Sequence, residues 1–163
     1  MIGIGNPQAN IHLCLQHRPP VEPYPTLQSV HYLQAGELTE LVSQCSNNWR
    51  KVFNCYAKLL FELDALGFAR WQDYRDDHLL QLGCQHSVLF APAPLVFNPD
   101  PDCVYIIAGK TYAATLALPE LEWLSPSFAI NHTYKIIVSP YFDYRQLTNE
   151  KTLQLAGLIR QLC

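Results

Sequence analysis

The chain has 163 residues, 49% of them apolar and only 15% charged, with a net charge of −3 and a pI near 6.0. That length folds as one domain whose core needs neither disulfide nor metal, and the slightly acidic balance excludes a general field for phosphate backbones, so nucleic acid would have to meet a local patch. Against a usual charged fraction of about 25%, so sparse a surface predicts that part of it is covered by a second copy of the chain.

Residues 1–10, MIGIGNPQAN, have neither the basic nor the long apolar region of a signal peptide. No apolar run approaches the ~20 residues of a membrane span, and the expectation is a soluble cytoplasmic protein without membrane contact. Residues 10–15, NIHLCL, alternate and predict a first strand with Ile11, Leu13 and Leu15 on one face. Pro19, Pro20, Pro23 and Pro25 then make a rigid surface connector.

From residue 37 to 66 apolar side chains recur at three- and four-residue steps. Ser46-Asn47-Asn48 favour a cap, which predicts two helices, the second starting at Trp49 and ending at a Gly67 C-cap. Arg50, Asn54 and Lys58 fall on one polar stripe of it with Lys51 beside them, read as a solvated face or an anion contact. Residues 71–82 predict a shorter helix. Its Asp76, Asp77 and His78 are adjacent and point about 100° apart, so they do not chelate one metal.

Residues 87–91 predict a buried strand that continues through 95–97, and NPDPD at 98–102 a turn. CVYIIAG (103–109) predicts the next strand, 110–116 a short helix, and LPELEWL (118–124) a further strand. Ile136, Ile137 and Val138 predict a last strand, closed by Ser139-Pro140, and residues 149–163 a last helix. Strands alternating with helices predict an α/β domain.

Gly109-Lys110-Thr111 sits between strand and helix, but the position a P-loop gives to its first glycine holds Val104. Lys110 remains as an anion contact, or Gly109 merely makes the turn. There is no GxSxG, HExxH or GxGxxG. The six cysteines, Cys14, Cys45, Cys55, Cys84, Cys103 and Cys163, show no zinc spacing and read as buried small hydrophobes in a reducing cytosol. In KIIVSPYFDYR (135–145), Asp143 and Arg145 either pair to tie the turn or present a carboxylate and a guanidinium to a ligand flanked by Tyr141 and Tyr144. Loops at the carboxyl ends of strands are where open α/β sheets bind ligands.

VYIIAGKTYAATL (104–116) and IIVSPYFDYRQLTN (136–149) resemble the uracil-DNA glycosylase superfamily, in which one strand ends in a Gly-Arg/Lys turn and a later one in a His-Pro-Ser loop before the last helix. Pro140 matches that signature; Ser139 stands at its histidine and Tyr141 at its serine. The nearest counterpart of the family's water-activating loop is GIGNPQAN (3–10), which carries no acid. The resemblance implies the same α/β/α layout, with catalysis altered or lost.

The resulting expectation is a single domain over residues 1–163, a three-layer α/β/α fold around a central, mainly parallel sheet of four or five strands, without cofactor or metal. Its function is expected to be binding or interaction, toward a small anionic ligand at Lys110, Tyr141, Asp143, Tyr144 and Arg145. The alternative is an enzyme acting on a nucleobase or nucleotide, with Asp143 as acid or base and Lys110 or Arg145 on the anion.

Overall fold

The computed structural model describes residues 1–91 and 102–163. The expected strand at 95–97 and nearly all of the turn at 98–102 lie outside the described residues. Among the described residues, one sheet holds β1 (Gly3–Gly5), β2 (Ile11–Leu15), β3 (Val30–His31), β4 (His86–Phe90), β5 (Val104–Ala108), β6 (Glu122–Trp123), β7 (Ala129–Asn131) and β8 (Ile136–Ser139). Their spatial order is β3-β1-β4-β2-β5-β8-β7-β6.

The α/β class is therefore as expected, but the sheet has eight strands and is mixed. Only its centre, β4-β2-β5-β8, is a parallel run. On one side β1 pairs antiparallel with β4 and parallel with β3; on the other, β7 and then β6 are antiparallel. The flanking strands have two or three residues each, too few to leave a periodic pattern. In β1 the glycines that argue against a strand are what permit it. A Cβ on Gly3 would run into the Val88 carbonyl oxygen, and Gly5 has φ +107° with a Cβ position 2.5 Å from the His86 carbonyl oxygen.

The long helical pattern does divide, into α1 (Glu37–Gln44) and α2 (Asn47–Leu63), and α2 starts two residues before Trp49. Leu66 and Gly67 both have positive φ in the turn that follows, so Gly67 is not the C-cap. The third helix, α3 (Trp71–Asp77), stops well before residue 82. The backbone of Leu80 has left the helix there: its N–H donates to His86 Nε2 at 3.0 Å and its carbonyl accepts from the Leu33 N–H. The last two helices, α4 (Lys110–Thr115) and α5 (Asn149–Leu162), lie close to their expected bounds.

Strand alternation divides the core. Leu13, Leu15, Val88, Phe90, Ile106 and Ile137 pack with Val52, Phe53, Tyr56 and Leu59 of α2 and Leu155 and Ile159 of α5. On the other face Cys14, Leu89, Ile107 and Val138 pack with Tyr112 and Ala113 of α4. The proline-rich connector is fastened by Arg18, whose guanidinium donates to the carbonyls of Ala91 (3.2 Å), Tyr24 (3.3 Å) and Pro25 (3.0 Å). No disulfide joins the six cysteines; Cys14, Cys55 and Cys84 are buried as expected, Cys45 and Cys103 only partly, and Cys163 is exposed. Among the described residues no helix is long and apolar enough to cross a membrane.

Candidate functional site

A cleft of about 690 Å³ opens at the carboxyl ends of the central parallel strands, within the range of about 300–1,000 Å³ usual for small ligands. From β2 the chain goes to β4 on one side, then returns to place β5 on the other. The loops leaving β2 and β5 therefore part at the switch point where open sheets form crevices. Gln16 and His17 enter from the first loop, Gly109, Lys110 and Thr111 from the second, and Tyr141, Arg145 and Gln146 from the loop after β8. Asn48 at the start of α2 and Lys151 in the first turn of α5 complete the wall, with Ser127 from the turn before β7.

Lys110, Arg145, Lys151 and His17 thus converge from four segments, and no Asp or Glu lines the cleft among the described residues. Neutral donors surround them. Tyr112 is one wall, and burial pushes its phenol up to about 12, so it stays protonated and can donate but not act as a base. The Asn48 amide donates to the Tyr141 hydroxyl at 3.3 Å, linking α2 to the β8 loop across the cleft.

Phe142, fully buried, anchors that loop edge-on to Tyr56, which leaves Tyr141 at the cleft. Asp143 turns away from it. One carboxylate oxygen accepts from the Arg145 backbone N–H at 2.8 Å, and the other lies 3.7 Å from Lys51 Nζ of α2. The Asp143 carbonyl accepts from the N–H groups of Gln146 and Leu147. Tyr144 is 51% exposed on the outer side, with Lys51 Nζ 5.0 Å and the Arg145 guanidinium carbon 5.7 Å from its ring centre.

Of the five expected contact residues, then, Lys110, Tyr141 and Arg145 line one cleft, while Asp143 and Tyr144 shape the loop behind it. His17, Asn48, Ser127 and Lys151 were not foreseen. Lys151 had a local signal: a cation in the first turn of a helix opposes the helix dipole. His17 had only its position directly after a strand.

Two features elsewhere bear on chemistry. GIGNPQAN forms β1 and the turn into β2, whose backbone bonds to Gln85 and His86 place it at the amino ends of the strands, opposite the cleft. His12 Nδ1 and Ser87 Oγ are 2.6 Å apart across β2 and β4, but both side chains are buried. The model of a family of unknown function, DUF6942, matches residues 2–160, and the chain belongs to that family. No curated protein and no solved structure matches it.

Proposed function

We propose that this DUF6942 member is a binding module whose cleft receives the anionic group, phosphate or carboxylate, of a small ligand. One observation carries the reading: the cations Lys110, Arg145 and Lys151 line one cleft, with the imidazole of His17 beside them and without a lining acid among the described residues, in a chain of net charge −3. Local concentration of positive charge on an acidic protein costs self-repulsion that an anion relieves. Asp143 is a positioning residue, because its carboxylate is committed to the Arg145 N–H and to Lys51.

A ligand specific for the folded state raises the melting temperature by mass action, by about 2.7 kcal/mol at a hundred times Kd, or several °C for a domain of this size. We expect that rise with inorganic phosphate, ribose 5-phosphate or a nucleoside monophosphate, and its loss in Lys110→Ala/Arg145→Ala. A flat response to all of them at millimolar concentration overturns the proposal.

A second reading, an enzyme on a nucleobase or nucleotide, draws on the glycosylase resemblance. The two segments that carry it are the neighbouring strands β5 and β8, each followed by a turn at the cleft and then a helix, α4 directly and α5 after the longer loop. Ser139, at the position of that family's histidine, is buried and donates to the Pro140 carbonyl, which favours altered or lost catalysis. Release of uracil from a uracil-containing single strand would establish this reading in place of the first. The low charged fraction further supports self-association, and six cysteines joined by no disulfide support a reducing, cytoplasmic setting.

A further inference from the structure

On the far side of Lys110 a second hollow of about 390 Å³ adjoins the cleft, and Lys110 borders both. Its other lining residues carry apolar side chains, among them Ala113 and Ala114 of α4, Leu118 and Leu121 of the connection, and Trp123 of β6, with polar backbone exposed between them. Lys110 Nζ stands 5.0 Å from the centre of the Trp123 ring. That indole is 49% exposed, whereas Trp49 is buried in the core and Trp71 has both the Lys58 and the Arg75 cation over its ring.

We infer that Trp123 and the hollow beside it form a stacking subsite for the planar ring of a ligand whose anionic group lies in the cleft. The chemical class that joins a flat heterocycle to a phosphate is a nucleotide, and Lys110, which borders both hollows, marks where its two halves would meet. Lys110 stands at the junction, where it can leave the indole face for the phosphate while the base takes its place on the ring. The charge of the adjoining cleft selects this occupant over an uncharged apolar one. The inference rests on the anion reading of the cleft and adds to it the ring-binding half.

The test is calorimetric titration of the full chain with AMP, UMP, ribose 5-phosphate and inorganic phosphate, in wild type, Trp123→Ala and Trp123→Phe. Stacking of a base is worth roughly 5- to 150-fold in affinity by alanine substitution. A nucleoside monophosphate should therefore bind at least about fivefold more tightly than ribose 5-phosphate, lose that advantage in Trp123→Ala and keep most of it in Trp123→Phe. Quenching of tryptophan emission by the nucleotide in wild type, absent in Trp123→Phe, would report the stacking directly. If ribose 5-phosphate binds as well as both nucleotides, or if a Trp123→Ala protein of unchanged melting temperature binds them as wild type does, the subsite is overturned and the anion site stands. If none of the four binds, both fall. A short single-stranded oligonucleotide locates the source: tighter binding than AMP with the same Trp123 dependence places the base in a strand, equal binding in a free nucleotide, and either result upholds the subsite.

Discussion

Gly3 and His86 show how single residues set limits on this fold. Gly3 lies against the backbone of β4 so closely that a methyl group would meet the Val88 carbonyl oxygen. Backbone cannot yield as a flexible side chain does, so Gly3→Ala should cost about 1–3 kcal/mol, read by urea unfolding. An unchanged midpoint would mean that β1 moves without cost. His86 sits among Tyr56, Tyr74 and His78, and its Nε2 accepts from the Leu80 N–H. Burial, with a smaller contribution from His78, pushes its imidazole down to about 3 from 6.5. Below pH 6.5 the unfolded chain takes up a proton that the folded one refuses, so the contribution of His86 is whole above that pH and is lost as pH falls toward 3. Stability should drop by about 1.4 kcal/mol per pH unit between roughly 6 and 5, and the slope should flatten in His86→Gln. Equal slopes in the two proteins would remove His86 as the cause.

Among the elements, the loop from Pro140 to Leu147 carries the most consequence, because Asp143 holds its turn from both sides. Asp143→Ala removes a partly buried pair and a turn hydrogen bond, and should cost about 1–2 kcal/mol. It should also weaken anion binding several-fold by loosening Arg145. Asp143→Asn keeps an acceptor for the Arg145 N–H and should recover most of the binding, which a carboxylate that touched the ligand would not allow. Legibility at this scale followed length and branching. The runs of β5 and β8 were readable because a strand buried on both faces is a continuous β-branched apolar run, and the stretch of α2 because burial of one helix face forces a period. β1, β3 and β7 were not, since two or three residues have no period. LPELEWL shrank to β6 because only its edge-facing pair meets β7. Lys110, Tyr141 and Arg145 were found because they follow such strands. His17 joins them only through the strand order, which sets β2 beside β5 although β3 and β4 intervene in sequence, and Lys151 joins them because α5 starts just beyond the β8 loop.

For the whole molecule, the inferred second copy has a simple measure. Sedimentation at high concentration should give a species of twice the 18.6 kDa chain mass. A monomer throughout would mean that a sparse charge is compatible with a solitary surface. Added phosphate should not change the outcome, because the cleft proposed to hold it is lined by residues of a single chain.

The strand order also bears on how the chain is made. Both β1 and β2 have β4 as a neighbour, and the cross-strand pair His12 and Ser87 is 75 residues apart. At a ribosomal pace of about 5–20 residues per second, β2 must wait on the order of 4–15 s for its partner. During that interval its Leu13, Cys14 and Leu15 stand unpaired beside the emerging helices. The proline connector that begins at Pro19 cannot extend a ladder, so a stray pairing of the nascent strand could not grow past it before β4 arrives.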